Sequence, residues 1–257
     1  MSDKKLALAL GGGAAKGAFH LGVLHFMEEN NIQIDAYSGS SIGAIISASH
    51  ASGVKAKEQL KIFSSKELKD ILKFNYFKSS LIRIKKEAKL LDDLLPIKKL
   101  EDIPKKVYLC TYDLKKNKLH YFDKGNTQIL CMASSALIPL FEPIKYKNMN
   151  LIDGGLFDSV PIKPLDKNIY EILCVDLFPS DNLSKKNRKN PLRTIKKKIF
   201  TQLYENHIYT LENTDQYLTS LKLKDFSMFT FSQLDECFNL GFKEAKKHFL
   251  KSNKNYS

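Results

Sequence analysis

Short apolar runs alternate with stretches of helical periodicity over the first fifty residues of the chain. Leu6–Leu10 predicts a buried strand, and Ala14–Asn30 then follows helical spacing. Ile32–Tyr37 predicts a second strand, Ser38–Ser41 a tight turn, and Ile42–Ser52 a second helix. Because strand, turn and helix repeat in this order, the pattern favours an α/β fold of three layers (α/β/α) with a mainly parallel central sheet.

The rest of the chain continues this mixed pattern with weaker signals. Helical periodicity marks residues 55–100, Gln128–Ala136 and residues 194–224, and a helix follows residue 232. The polar, basic stretch Pro179–Arg193 predicts a mobile loop. The further predicted strands are Val107–Tyr112, Lys118–Phe122, Met149–Ile152, Glu171–Leu177 and Ser227–Phe231.

We predict a single domain across residues 1–257, because neither an internal repeat nor a long linker divides the chain. Within it we distinguish a motif-bearing core at residues 6–178, a basic loop with helices at 180–225, and a final strand and helix at 227–250. The net charge of +13 is the main departure from an ordinary globular composition. It favours anionic partners such as a membrane surface, or simply reflects a lysine-rich surface.

Cysteine usage and hydropathy limit the cofactors and the compartment. Cys110, Cys131, Cys174 and Cys237 form no Cys-x-x-Cys pair and no ligand spacing with histidine, so the cysteines do not predict a zinc site. The chain has no apolar run of bilayer-spanning length, and Leu6–Leu10 is too short for a secretory signal. We therefore expect a cytoplasmic protein whose contact with a membrane is transient and peripheral.

The segment Gly39-Ser40-Ser41-Ile42-Gly43 fits the G-x-S-x-G pattern of a nucleophile elbow. An elbow presents its serine, here Ser41, at a sharp strand-to-helix turn, and glycines at 39 and 43 remove the Cβ atoms that would clash there. A turn that merely caps a helix would give the same pattern. The apolar strand before it and the small-residue helix after it favour the elbow.

The segment Gly11-Gly12-Gly13-Ala14-Ala15-Lys16-Gly17 is a glycine-rich loop between the first strand and the first helix. Successive N–H groups in such a loop can bind a phosphate or a tetrahedral oxyanion. A P-loop is excluded because Ala18-Phe19 follows Gly17 where Lys-Ser/Thr is required. A dinucleotide site stays a minor alternative, since Asp35 lies near the predicted second strand although the glycine spacing is wrong.

A third motif, Asp153-Gly154-Gly155, follows the apolar pair Leu151-Ile152. Two glycines allow the chain to bend sharply after the aspartate. By itself this is an ordinary Asp-Gly turn. Its significance lies in its combination with the other two motifs.

In combination the motifs resemble the patatin-like phospholipases. The resemblance rests on LALGGGAAKGAFHLGVL at 8–24, GSSIGA at 39–44 and DGG at 153–155. It extends to the segments Ala133-Ser134-Ser135-Ala136, Pro139, Phe141, Pro143, Pro161 and the last helix around Gly241. Residues 55–105 and 180–225 contribute little to it. In one departure, Ala14 stands where the family's G-G-G-x-K/R-G loop has its third glycine.

The resemblance implies a serine esterase that hydrolyses carboxylic ester bonds of lipids, either phospholipids or lysophospholipids, without a metal. Ser41 would be the nucleophile and Asp153 its base, with the backbone N–H groups of Gly12, Gly13 and Ala14 as oxyanion donors. Lys16 either assists by its charge or is a solvated lysine. The remaining supporting positions are Gly11, Gly17, Gly39, Gly43, Gly154 and Gly155.

Two alternatives belong to other classes. A Ser-His-Asp hydrolase would place its nucleophile later in the chain, and none of the six histidines lies in a loop typical of a triad; His20, for example, lies in the first helix, away from the elbow. A non-catalytic or regulatory protein on the same fold would bind lipid membranes through residues 80–99 or 184–198. Their composition instead favours a core-packed helix for residues 80–99 and a solvated stretch for residues 184–198. Nucleic acid is not an expected partner, because no recognition signature is present. The pattern specifies neither an oligomeric state nor a headgroup.

Overall fold

A computed structural model describes residues 4–65, 84–178, 207–229 and 231–254. Within them, one mixed sheet has the strand order β5-β6-β3-β2-β1-β7-β8, with β4 also paired to β3. Strands β8, β7, β1, β2 and β3 run parallel, whereas β4 and β6 pair with β3, and β5 with β6, in antiparallel fashion. The strands are β1 (Lys5–Leu10), β2 (Ala36–Ser40), β3 (Lys106–Asp113), β4 (Lys118–Phe122), β5 (Ile144–Tyr146), β6 (Met149–Asp153), β7 (Tyr170–Val175) and β8 (Gln216–Leu218).

Most helices pack on one face of this sheet. Leu8 and Leu10 of β1 point into the main core on that face, while Ala7 and Ala9 point into a smaller core that is closed by the segment Val160–Leu165. An α/β fold with a mainly parallel central sheet is therefore confirmed. The helices of the described ranges are α1 (Ala18–Glu29), α2 (Ile42–Ala51), α3 (Ala56–Ser64), α4 (Ile84–Leu94), α5 (Thr127–Ser134), α6 (residues 207–213) and α7 (Leu234–Lys254). No helix in these ranges has both the length and the apolar character that crossing a bilayer requires.

Strand β2 differs from its prediction. It spans Ala36–Ser40, so most of the predicted turn Ser38–Ser41 is buried strand. Small polar residues occupy it because α2 crosses close above, which a larger side chain would prevent. Asp35 lies before β2 and bonds to Leu6 at the start of β1, through Leu6 N–H to Asp35 Oδ2 at 3.2 Å. The glycine-rich loop follows the other end of β1, so the dinucleotide alternative is wrong.

The region after residue 206 also differs from the sequence prediction. Residues 194–224 were expected to be helical, but Gln216–Leu218 is a short edge strand parallel to β7. Two side chains align it, because Asp215 accepts the N–H of Ile172 at 2.8 Å and Thr214 donates to the carbonyl of Ile172 at 2.9 Å. No strand forms at the described residues 227–229 and 231, where one was predicted. The predicted mobile loop Pro179–Arg193 lies outside the described residues.

Helices α1 and α7 meet backbone to backbone through two glycines. A Cβ added to Gly22 would lie 1.9 Å from the carbonyl oxygen of Phe238, and one added to Gly241 would lie 2.1 Å from that of Phe19. Each glycine therefore admits the backbone of the other helix. This contact fixes α7 over α1, which itself follows the glycine-rich loop.

Candidate active site

Strand β3 brings Ser41 and Asp153 together. Its first part pairs with β2, which ends with Ser40 opposite Cys110, and its last part pairs with β6, which ends with Asp153 opposite Thr111. Strand β4 occupies the other edge of β3 across both parts, so β2 and β6 share one edge. Because Cys110 and Thr111 are consecutive, the carboxyl ends of β2 and β6 meet, and Ser41 follows β2 directly.

Ser41 has a backbone conformation that a non-glycine residue rarely adopts. Its φ is 54° and its ψ is −126°, between the end of β2 and the first residue of α2. Such strain costs about 1 to 3 kcal/mol and persists only where the surroundings impose it. Here α2 lies so close to the sheet that a Cβ at Gly43 would be 2.2 Å from the carbonyl oxygen of Leu10. A Cβ at Gly39 would be 2.4 Å from the carbonyl oxygen of Gly43, so both flanking glycines are required.

Asp153 is buried, with 4% of its surface exposed. The Gly155 N–H donates to its Oδ1 at 2.7 Å. Burial raises the pKa of Asp153 to about 6, although the Gly155 N–H and the neighbouring Ser41 side chain act in the opposite direction. The carboxylate is therefore a stronger base than an aspartate in water.

Gly154 and Gly155 allow this aspartate to lie against β3 and β2. A Cβ at Gly154 would be 2.6 Å from Cys110 Sγ and 2.8 Å from the carbonyl oxygen of Cys110. A Cβ at Gly155 would be 2.6 Å from Ser40 Oγ. Glycine is therefore needed at 154 and 155 because larger residues would clash with β3 and β2, and also because it lets the chain bend after Asp153.

The glycine-rich loop passes beside the serine. A Cβ at Gly12 would lie 3.2 Å from Ser41 Cβ. The N–H of Gly11 donates to the carbonyl of Val175, and that of Gly12 to the carbonyl of Ser159, both at 3.1 Å. The N–H of Gly12 is thus already engaged, and we narrow the expected oxyanion donors from Gly12, Gly13 and Ala14 to the last two.

Gly13 and Ala14 lie where the loop turns into a short 3₁₀ helix, Ala14–Gly17. Their N–H groups have no backbone acceptor within the described residues. Ala14 has a φ of 50°, so the alanine that departs from the family pattern occupies a left-handed conformation. This costs about 1 to 2 kcal/mol for a residue with a Cβ, but the N–H that an oxyanion would use is retained.

Lys16 is not a solvated lysine, because only 7% of its surface is exposed. Its ammonium lies 5.1 Å from the ring centroid of Phe178, a cation–π geometry. Burial lowers its pKa from the ordinary value, and the nearby Cys237 acts in the opposite direction. The lysine therefore packs beneath the loop instead of facing water.

The role of His20 was not predicted from the sequence, where this residue was expected to lie away from the elbow. Its Nε2 lies 2.8 Å from the carbonyl oxygen of Gly11, and its side chain is fully buried. Burial lowers the pKa of His20 to about 4, so the ring is neutral at pH 7 and Nε2–H donates to Gly11. With the bond from Gly12 to Ser159, this fixes the Gly11–Gly12 peptide on both sides. The available signal was the position of His20 in the first turn of a helix that starts directly after the loop.

A second missed residue is Ser134, the last residue of α5. Its Oγ accepts the N–H of Ser41 at 3.0 Å and donates to the carbonyl of Cys110 at 2.7 Å. Two residues later, the carbonyl of Ala136 accepts the N–H of Asp153 at 3.1 Å. The sequence signal was its place in the Ala133-Ser134-Ser135-Ala136 segment of the family resemblance, to which no role had been assigned.

The histidines contact other groups in the described part of the chain. Besides His20, the partners are glutamates for His25 and His50, the ring of Phe122 for His120, Asp176 for His207 and Gln216 for His248. The side chain of Ser41 instead interacts with the carboxylate of Asp153. This arrangement does not support a Ser-His-Asp triad.

Fold and site together define an α/β protein with a serine–aspartate pair and a glycine-rich loop at the carboxyl ends of its parallel strands. The chain belongs to the patatin-like phospholipase family, whose family model matches residues 8–166.

Relatives of this chain include proteins of bacteria and fungi. An uncharacterized NTE family protein of Mycobacterium tuberculosis is 27% identical over 166 residues, which are 64% of this chain and 46% of that protein. Lysophospholipase NTE1 of Coccidioides immitis is 26% identical over an alignment of 287 residues, which covers 99% of this chain and 18% of the fungal protein. The chain thus spans less than half the length of these relatives.

Two solved structures share the fold. VipD from Legionella pneumophila superimposes with a TM-score of 0.56 at 14% identity, covering 96% of this chain and 67% of VipD. The type III effector protein ExoU superimposes with a TM-score of 0.54 at 17% identity, covering 96% of this chain and 53% of ExoU. At these identities the likeness concerns the fold alone.

Proposed function

We propose that this protein hydrolyses carboxylic ester bonds of phospholipids or lysophospholipids, with Ser41 as the nucleophile and Asp153 as its base. The observation that carries the proposal is the placement of the Ser41 side chain beside the buried carboxylate of Asp153, close enough to lower the pKa of that carboxyl. Family membership and the lysophospholipase relatives support lipid esters as the substrate class. The net charge of +13 supports transient contact with an anionic membrane surface.

The proposed reaction has two halves. Asp153 takes the Ser41 proton while Oγ attacks the ester carbonyl, and the N–H groups of Gly13 and Ala14 stabilise the resulting oxyanion. As the intermediate collapses, the ester C–O bond breaks and Asp153 returns the proton to the leaving alcohol. A water molecule then loses a proton to Asp153 and attacks the acyl-serine carbonyl. The bond between the acyl carbon and Oγ breaks, Asp153 returns the proton to Oγ, and the fatty acid leaves.

A lipid panel combined with a serine-directed probe tests this function. The wild-type protein would be incubated with a lysophospholipid, a diacyl phospholipid, a triacylglycerol and an amide-linked lysophospholipid analogue. A fluorophosphonate probe would be mapped by peptide mass spectrometry. We expect fatty acid release from at least one phospholipid ester, no release from the amide, and label on Ser41. Vesicle binding without release or label would favour the non-catalytic alternative.

The pH profile of this hydrolysis gives a second test. Asp153 can accept a proton only when ionised, and its pKa is about 6. We therefore expect kcat/KM to fall about tenfold per pH unit below pH 6 and to level off above it. The measurement is initial rate against pH with a water-soluble ester, which keeps lipid packing out of the profile.

Asp158 provides the control for this profile, because burial raises its pKa to about 6 as well. Its carboxylate bonds to the Tyr121 hydroxyl, at 2.5 Å, and not to Ser41. The acid limb should persist in Asp158→Asn. A profile that stays flat down to pH 4, or a limb that disappears in this variant, would contradict the assignment of Asp153 as base.

A further inference from the structure

We propose that Ser134 is a positioning residue that holds the backbone of Ser41 in its reactive conformation. The inference rests on the proposed function, in which Ser41 is the nucleophile. Ser134 does not touch the reacting atoms; its hydroxyl contacts the backbone of Ser41 and of Cys110. It would therefore act through Ser41 alone.

The position of Ser134 follows from where the β2–β3 ladder ends. The two strands pair in parallel up to Ser40 opposite Cys110. At Ser41 the chain turns away into α2, so the next rung of the ladder is missing. The Ser134 hydroxyl fills that rung, because it accepts the Ser41 N–H at 3.0 Å and donates to the Cys110 carbonyl at 2.7 Å.

Only a group that both donates and accepts can make this bridge. A serine hydroxyl has one donor and two acceptor sites, whereas alanine would leave both the Ser41 N–H and the Cys110 carbonyl without this partner. Ser134 is fully buried, so water cannot readily replace it. The adjacent Ser135 makes no comparable bridge, since its buried Oγ has no hydrogen-bond partner within the described residues.

The residues at the end of α5 also position the backbone of Asp153, the proposed base. The carbonyl of Ala136 accepts the Asp153 N–H at 3.1 Å, two residues after the hydroxyl that accepts the Ser41 N–H. One short segment thus sets the backbone positions of both members of the pair. Loss of the Ser134 bridge should release Ser41 while leaving Asp153 held by Ala136.

The test compares Ser134→Ala with Ser47→Ala. Ser47 is also fully buried, and its Oγ has no hydrogen-bond partner among the described residues, so the control repeats the loss of a hydroxyl without the bridge. We expect Ser134→Ala to lower kcat and the rate of fluorophosphonate labelling of Ser41 by about 10- to 100-fold, as for a misplaced reacting group. KM should stay within about twofold, because ground-state binding does not use the Ser41 N–H. Ser47→Ala should retain wild-type values within about twofold.

The outcomes separate this inference from the proposed function. If wild type is labelled at Ser41 and Ser134→Ala is labelled as fast as Ser47→Ala, the positioning role is wrong and the function stands. If Ser134→Ala does not fold, Ser134→Thr decides, since it keeps a hydroxyl and should retain labelling within about fivefold. A folded Ser134→Thr protein that is labelled more than 100-fold slower than wild type would overturn the role. Absence of labelling in wild type would overturn the function and the inference together.

Discussion

Replacing Asp153 by asparagine is expected to lower the turnover of lipid esters by about 100- to 10,000-fold, the usual contribution of a general base. Asparagine has nearly the shape of aspartate and keeps the oxygen that accepts the Gly155 N–H, so the turn should survive. What it lacks is the ability to take a proton from Ser41. Ser41→Ala should lose turnover to background, and the double variant should be no worse than either single one, because the two residues act as a unit.

The same substitution should stabilise the fold, which separates a catalytic effect from an unfolding effect. The pKa of Asp153 is about 6 in the folded protein against an ordinary 3.8, so between these values the folded protein binds more protons than the unfolded chain. Stability from this group is therefore present at low pH and is lost as pH rises through 6. The difference of about two pKa units corresponds to about 3 kcal/mol at pH 8.

Thermal or urea unfolding at two pH values checks this second effect. Asp153→Asn should raise the free energy of unfolding by up to about 3 kcal/mol at pH 8, and by much less at pH 4, where the carboxyl is protonated in the folded protein and partly protonated in the unfolded chain. The matched control is Asp92→Asn, which removes an exposed carboxylate and should stay within about 0.5 kcal/mol of wild type. An active Asp153→Asn protein, or an inactive one that is also destabilised at pH 8, would count against the assignment.

Local patterns in the sequence predicted those parts of the site whose geometry is encoded locally. The elbow around Ser41 and the turn after Asp153 were found because glycines mark them. The structure places backbone atoms close to the Cβ positions of Gly39, Gly43 and Gly154, and side-chain atoms close to that of Gly155. Strands β3 and β4 were also predicted, because two apolar segments flank the polar stretch between them. In each case the pattern that gave the prediction lies within about twenty residues of chain, even though the atoms that require the glycines belong partly to distant segments.

Features that depend on distant partners escaped prediction. The motif predicts that the N–H of Gly12 donates to an oxyanion. In the structure this N–H donates to the carbonyl of Ser159, a residue that follows the Asp153-Gly154-Gly155 motif. Strand β8 forms because its backbone pairs with the edge of β7 and because the Asp215 side chain bonds to Ile172 of that strand. Three residues are too few to show the alternation of apolar and polar positions that predicts a strand. Ser134 and His20 hydrogen-bond to backbone groups of distant segments. Such contacts do not produce a motif with a fixed spacing in the sequence.

Gly22→Ala is expected to destabilise the fold by about 3 kcal/mol or more, at the upper end of what overpacking costs. In an isolated helix the same change would be stabilising by about 1 kcal/mol. The expected destabilisation of the protein therefore comes from packing against α7. The added Cβ would lie 1.9 Å from the carbonyl oxygen of Phe238 and 2.7 Å from the N of Phe242. Both are backbone atoms of α7 and cannot rotate away, so the helices must separate. Separation would expose the aromatic contacts that Phe26 makes with Phe242 and Phe249.

Thermal unfolding of Gly22→Ala against Gly53→Ala measures this effect. A Cβ at Gly53 would meet no heavy atom within 4 Å, but its φ of 98° is strained for alanine, so this control carries backbone strain without a clash. We expect the control to cost about 1 to 2 kcal/mol and Gly22→Ala to cost clearly more, with Tm lower by about 6 to 12 °C. Gly241→Ala, the reciprocal change, should behave like Gly22→Ala because its Cβ meets the Phe19 carbonyl at 2.1 Å. If Gly22→Ala melts at or above the Gly53→Ala temperature, the helices do not meet backbone to backbone. The packing that places α1, and with it His20 beneath the glycine-rich loop, would then need another explanation.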